Sequence, residues 1–100
     1  SKVADIITRL REYGVEPIVV DPCASAEDAQ REYGVALEPL CNIHDADCII
    51  FAVAHEVFKA LTPEQVDGMY ADDTEKVLID VKGMFDTQWL QERHYRYWRL

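Results

Sequence analysis

One hundred residues, 49% of them hydrophobic, with a net charge of −9, describe one folded domain, too small for two and too apolar for a disordered tail. That much negative charge argues against non-specific binding to nucleic acid or an anionic membrane. No apolar run approaches the roughly 18 residues of a membrane span, and no signal peptide is visible. The charge is uneven: from Lys82 onward four cations face two carboxylates, a local +2 that leaves −11 for the rest. A small anion can therefore be held at the C-terminal end of an acidic chain.

In chain order, residues 2–13 read as an amphipathic helix, with Val3, Ile6, Ile7, Leu10 and Tyr13 at helical spacing and Gly14 placed to end it. Ile18-Val19-Val20 follows as a short buried strand within 17–21, closed by Asp21-Pro22. Ser25 is the expected cap of a second helix that ends at Tyr33-Gly34, with Asp28 in the reciprocal capping position. Arg-Glu-Tyr-Gly-Val occurs at 11–15 and again at 31–35, which we read as two helix–glycine–strand junctions with one local solution, not as a repeat protein. An edge strand is expected at 35–38, stopped by Pro39, then loop or a single helical turn to Asp47.

Cys48-Ile49-Ile50-Phe51-Ala52-Val53-Ala54 is apolar at every position. That pattern predicts a strand over 48–54 buried on both faces, with Cys48 in the core. Val57, Phe58 and Leu61 predict a short helix, and Thr62-Pro63-Glu64-Gln65 is a capped helix start with proline at the first position. A second buried strand is predicted at 76–81, a helix capped by Asp86 carries Trp89 and Leu90, and alternation at Tyr95, Tyr97 and Arg99 predicts a last strand at 95–99. Helices alternating with strands give an α/β, Rossmann-like layered domain with a mostly parallel sheet. Because the chain opens on a helix, the first central strand of such a sheet is expected to be missing, leaving a gap between strands 17–21 and 48–54, letting them pair, or leaving an edge for a partner chain to fill.

Parallel sheets bind ligands beyond the carboxyl ends of their strands, so Ala54-His55 and Val81-Lys82-Gly83 are where a site is expected. Lys82 offers a compact positive charge and Gly83 lets a ligand approach the backbone; the bland alternative pairs Lys82 with Asp80 or Asp21. His55 can donate to a phosphate or sugar, or simply cap the next helix. The aromatic tail Tyr95, Tyr97 and Trp98 is read as core or subunit contact before base stacking. Cys41 and His44 have ligand-like spacing, yet no second pair completes a zinc site, so no metal is assigned. Three cysteines without a Cys-x-x-Cys pair imply reduced thiols and a cytoplasmic protein. The chain carries no Gly-x-Ser-x-Gly, P-loop or Gly-x-Gly-x-x-Gly motif, and so no complete catalytic or dinucleotide site.

The order Ser1-Lys2-Val3-Ala4-Asp5-Ile6-Ile7, Asp21-Pro22, Asp47 to His55 and Val77 to Phe85 resembles the C-terminal domain of the UDP-glucose/GDP-mannose dehydrogenase family. Ala52-Val53-Ala54-His55-x-x-Phe58 and Ile79-Asp80-Val81-Lys82-Gly83-Met84-Phe85-Asp86 carry most of the resemblance. The closing Tyr97-Trp98-Arg99-Leu100 is similar to members that oxidise UDP-N-acetylhexosamines. The resemblance implies that residues 1–100 form the UDP-binding domain of a longer, NAD-dependent nucleotide-sugar 6-dehydrogenase. Such an enzyme oxidises the sugar's C6 alcohol to the uronate for polysaccharide biosynthesis. NAD would be held mainly by an N-terminal domain, and a middle domain would form a homodimer. The catalytic cysteine would lie in that middle region, so Cys23, Cys41 and Cys48 are not catalytic and the isolated chain is expected to be inactive. Lys82 stands where relatives place a basic residue that contacts the substrate's nucleotide-phosphate part; Gly83 and His55 complete the expected substrate-binding set. The alternatives are a non-catalytic α/β interaction module and a receiver-like signalling domain; the latter lacks a phosphorylatable aspartate where His55 stands.

Overall fold

The computed structural model describes residues 2–100. They form two compact units, one running to Asn42 and one from Ile43 to Leu100.

In the first unit, α1 (Lys2–Glu12) ends in a Schellman turn: Gly14 N–H donates to Arg11 O at 3.0 Å and Val15 N–H to Leu10 O at 2.9 Å. Gly14 at φ 78° makes that turn without steric cost. Helix α2 (Ala26–Tyr33) begins where expected, with Ser25 Oγ accepting from Asp28 N–H, and closes on Gly34 at φ 65°. Asp28 does not reciprocate as a capping-box acid; its carboxylate pairs with Arg31. The two Arg-Glu-Tyr-Gly-Val segments interlock, since Arg11 of the first donates to the Tyr33 and Gly34 carbonyls of the second while forking onto Glu16. Ile7, Ala29 and Val35 form the buried cluster, with Val3, Val19, Tyr33 and Leu37 packed on it.

This unit departs from the sequence pattern in its strands and in two side chains. The strands at 17–21 and 35–38 reduce to one parallel bridge, Val19 with Leu37, and Glu38 N–H donating to Val19 O at 2.9 Å. Asp21-Pro22 and Pro39 cut both segments short, and two residues a side make no ladder. Ile18 is 71% exposed, not buried, and Tyr13 at 76% has left the helix face for Arg9, whose guanidinium lies 5.7 Å from the ring centroid.

The second unit holds the sheet. Strands β1 (Cys48–Phe51), β2 (Val77–Asp80) and β3 (Arg96–Arg99) lie in the order β1-β2-β3, parallel throughout. This is an open Rossmann-like α/β sheet lacking strands. The apolar run at 48–54 is ordered as strand only to Phe51, and it is not the buried centre. β1 is an edge strand; Cys48 is exposed, Ile49 and Ile50 are half-buried, and only Phe51 is fully inside. The central place belongs to β2, where Leu78 and Asp80 have no exposed surface. Helices α3 (Glu56–Lys59), α4 (Pro63–Asp67) and α5 (Thr87–Glu92) connect the strands. The expected capping box of α4 is present in both directions, Thr62 Oγ1 accepting from Gln65 N–H and Gln65 Oε1 from Thr62 N–H. Asp86 caps α5 by accepting from Gln88 N–H.

The core of this unit is a series of aromatic rings. Phe58, Phe51, Phe85, Trp89, Tyr95 and Tyr70 follow one another edge-to-face, with centroids 4.7–5.7 Å apart. Each such contact adds roughly 0.5–1.5 kcal/mol to the area buried. Tyr95 therefore belongs to the core, and its hydroxyl donates to Asp67. Tyr97 accepts from Gln91, and Trp98 stays 49% exposed beside Arg96. No helix is long and apolar enough to cross a membrane among the described residues.

Candidate functional site

The site is built on the ends of two neighbouring strands. Phe51 and Asp80 are register partners. Beyond them the chain runs into His55 on one side and Val81-Lys82-Gly83 on the other. Val81 N–H still donates to Phe51 O at 3.1 Å, so the sheet hydrogen bonding reaches one residue past the strand end.

Asp80 then folds the turn. Its carboxylate is fully buried, and its oxygens accept from Met84 N–H at 3.1 Å and Phe85 N–H at 3.0 Å. Gly83 N–H lies on Asp80 O at 3.3 Å, and Gly83 takes φ 66°. This tight reversal returns Phe85 to the aromatic core and leaves Lys82 exposed.

Lys82 makes no ion pair among the described residues. The alternative in which Asp80 neutralises it does not hold. That carboxylate is taken by two backbone N–H groups, with the Arg99 Nε 3.9 Å away. An exposed ammonium on a fixed backbone is suited to attract a phosphate or carboxylate.

His55 occupies the N-cap position of α3, in extended conformation, but its side chain makes no cap hydrogen bond. Its carbonyl accepts from Phe58 and Lys59 N–H, and its ring lies 5.5 Å from that of Phe58. The helix start thus uses the His55 backbone, and the half-buried imidazole does not cap it.

Arg99, at the end of β3, is a member of the site that the strand-end motifs do not indicate. It is the register partner of Asp80. Its Nη2 donates to Gly83 O, so a second cation joins the strand end that bears Lys82. Two signals were available: an acid on the buried, Leu78-bearing face of a strand needs donors, and arginine is the side chain built to supply them.

Cys48 departs from its expected core position, yet partial desolvation of its thiol raises the pKa above the usual thiol value. Such a thiol is a poor nucleophile. Cys23 and Cys41 are exposed.

Comparison with known proteins fits this geometry. A sequence model of the UDP-glucose/GDP-mannose dehydrogenase family, UDP binding domain, matches residues 1–87. The chain is 40% identical over 86 residues to the UDP-N-acetyl-D-glucosamine 6-dehydrogenase of Pseudomonas aeruginosa, covering 86% of this chain and 20% of that protein. It is 32% identical over 84 residues to the protein of the same name from Salmonella typhi, covering 82% of this chain and 19% of the relative. Protein CapL of Staphylococcus aureus is 28% identical over all 100 residues, which cover 23% of it. The chain thus spans about a fifth of the length of the curated relatives it matches. The matched region includes both strand ends, His55 and the Asp80–Phe85 turn, and on that basis the chain belongs to the UDP-glucose/GDP-mannose dehydrogenase family, of which it forms the UDP-binding domain.

Proposed function

We propose that this domain binds the nucleotide of a UDP-sugar within a cytoplasmic, NAD-dependent 6-dehydrogenase that converts the C6 alcohol to the uronate, in the service of polysaccharide biosynthesis. The supporting observation is Lys82: an exposed, unpaired cation at the carboxyl end of the central strand, where open parallel sheets receive ligands. Lys82 carries the charge toward the diphosphate, Gly83 keeps the backbone approachable, and His55 approaches the ligand from the neighbouring strand end. The names of the two UDP-N-acetyl-D-glucosamine 6-dehydrogenase relatives favour an N-acetylhexosamine as the sugar. The remainder of the parent enzyme is the principal partner, with a homodimer as its assembly.

NAD, when bound, accepts the hydrides of the oxidation. This chain does not fit it: among its four glycines there is no glycine-rich turn to hold a pyrophosphate. NAD is accordingly assigned to another domain, no residue here performs a redox step, and the isolated chain is expected to produce no NADH from any UDP-sugar.

Lys82→Ala in the full-length enzyme provides the test. A charge-assisted contact with phosphate is worth roughly 1.5–3 kcal/mol, so the UDP dissociation constant should rise about ten- to a hundredfold. NAD affinity and melting temperature should stay close to wild type. UDP affinity within twofold of wild type, combined with a lower melting temperature, would make Lys82 structural and remove the assignment.

A further inference from the structure

We propose that Arg99 is a positioning residue: it fastens the turn that carries Lys82 to the end of β3. The purpose assigned to the lysine rests on the nucleotide-binding reading above; the fastening itself does not.

Four of the five backbone N–H groups from Val81 to Phe85 have an acceptor. Val81 N–H is on Phe51 O, Gly83 N–H on Asp80 O, and the Met84 and Phe85 N–H groups are on the Asp80 carboxylate. All these are donors of the turn. The Gly83 carbonyl is an acceptor, and the Arg99 Nη2 supplies its donor. The same guanidinium places Nε 3.9 Å from Asp80 Oδ2. One planar cation thus spans from the buried carboxylate that folds the turn to the carbonyl at its apex, a reach suited to a fork of several donors.

The glycine at position 83 is consistent with this seat for the guanidinium. A Cβ there would stand 2.7 Å from Arg99 Nη2 and 3.3 Å from both Cζ and Nε. The arginine lies against the bare backbone in the space a side chain would fill. Gly83 is favoured by its φ of 66°, and its missing Cβ leaves room for the guanidinium. Lys82 falls between two fixed points, the Val81 N–H on β1 and the Gly83 peptide on Arg99, so its backbone is held while its side chain stays in solvent.

The competing explanation is that Arg99 contributes only positive charge, or touches the ligand itself. Titration of the full-length enzyme with UDP, alongside backbone hydrogen exchange over residues 81–86, separates these. Arg99→Ala should weaken UDP binding about fivefold or more, the worth of one hydrogen bond, and speed exchange at Met84 and Phe85. Arg99→Lys keeps the charge but loses the planar fork, and should not restore wild-type affinity. In Lys82→Ala, adding Arg99→Ala should cost less than twofold further, because a positioning residue has nothing left to position. Full affinity in Arg99→Lys, full multiplication of the two single losses, or unchanged exchange over 81–86 in Arg99→Ala would each overturn the proposal. If Lys82→Ala itself leaves UDP affinity unchanged, the nucleotide-binding reading fails. The exchange data then still decide the fastening, faster exchange upholding it and unchanged exchange overturning it.

Discussion

His94 shows what one backbone angle costs. Helix α5 ends in the same Schellman pattern as α1: His94 N–H donates to Gln91 O at 3.1 Å and Tyr95 N–H to Leu90 O at 2.9 Å. The left-handed position is filled by glycine in α1 and by histidine here, at φ 61°. A Cβ in that region is disfavoured by about 1–2 kcal/mol, against the smaller entropic penalty of glycine. His94→Gly should therefore stabilise the fold by about 0.5–1 kcal/mol in urea denaturation, leaving UDP affinity unchanged. The Asp80 turn is a contrasting case. There the left-handed residue is already glycine, and the buried carboxylate makes the hydrogen bonds that the loop backbone cannot find within itself. Asp80→Ala would strand two N–H groups, at roughly 1–3 kcal/mol for each that stays buried, and should lower stability and UDP affinity together.

At the level of elements, local chemistry was legible and neighbourhood was not. Ser25, Thr62 and Asp86 cap their helices as their side chains require, and Gly14 and Gly34 end theirs. These signals are contained within a few consecutive residues. Thr62→Ala should cost about 1 kcal/mol by losing its bond to Gln65 N–H, measured as a shift in the denaturation midpoint. The place of a strand in its sheet depends on distant residues. Cys48–Phe51 and Val77–Ile79 are both apolar runs in sequence, but only β2 has a strand on each side. Periodicity cannot distinguish an apolar edge from an apolar centre. The candidate site was legible as a location, since Lys82 and Gly83 follow the end of β2. The brace from Arg99 was not, because it arises from the register Asp80–Arg99 across 19 positions of sequence.

Across the second unit, the phenols tie stability to alkaline pH. Burial, then the hydrogen bond to Asp67 and that residue's charge, push the Tyr95 pKa well above its ordinary value of 10.0. Burial likewise raises Tyr70, whose hydroxyl donates to Val77 O. A phenol harder to ionise when folded leaves stability intact below its unfolded pKa and withdraws it as pH rises beyond. The melting temperature should begin to fall near pH 9, where the unfolded Cys48 thiol ionises, and fall more steeply above about pH 10 as the phenols follow. Tyr95→Phe should melt lower at neutral pH yet decline less steeply above pH 10; an unchanged slope would show that Tyr95 is not the group responsible.

The edge-to-face ring series has an optical consequence as well. Trp89 sits inside it between Phe85 and Tyr95, whereas Trp98 stays half open beside Arg96. The two indoles are thus unequal chromophores. Trp98 should be quenched first by acrylamide, while Trp89, held in a fixed chiral array against Phe85 and Tyr95, should dominate the near-ultraviolet circular dichroism. Loosening of the second unit would appear as loss of that ellipticity before the emission of Trp98 changes, so the protein carries its own two-channel reporter of core packing with no label attached.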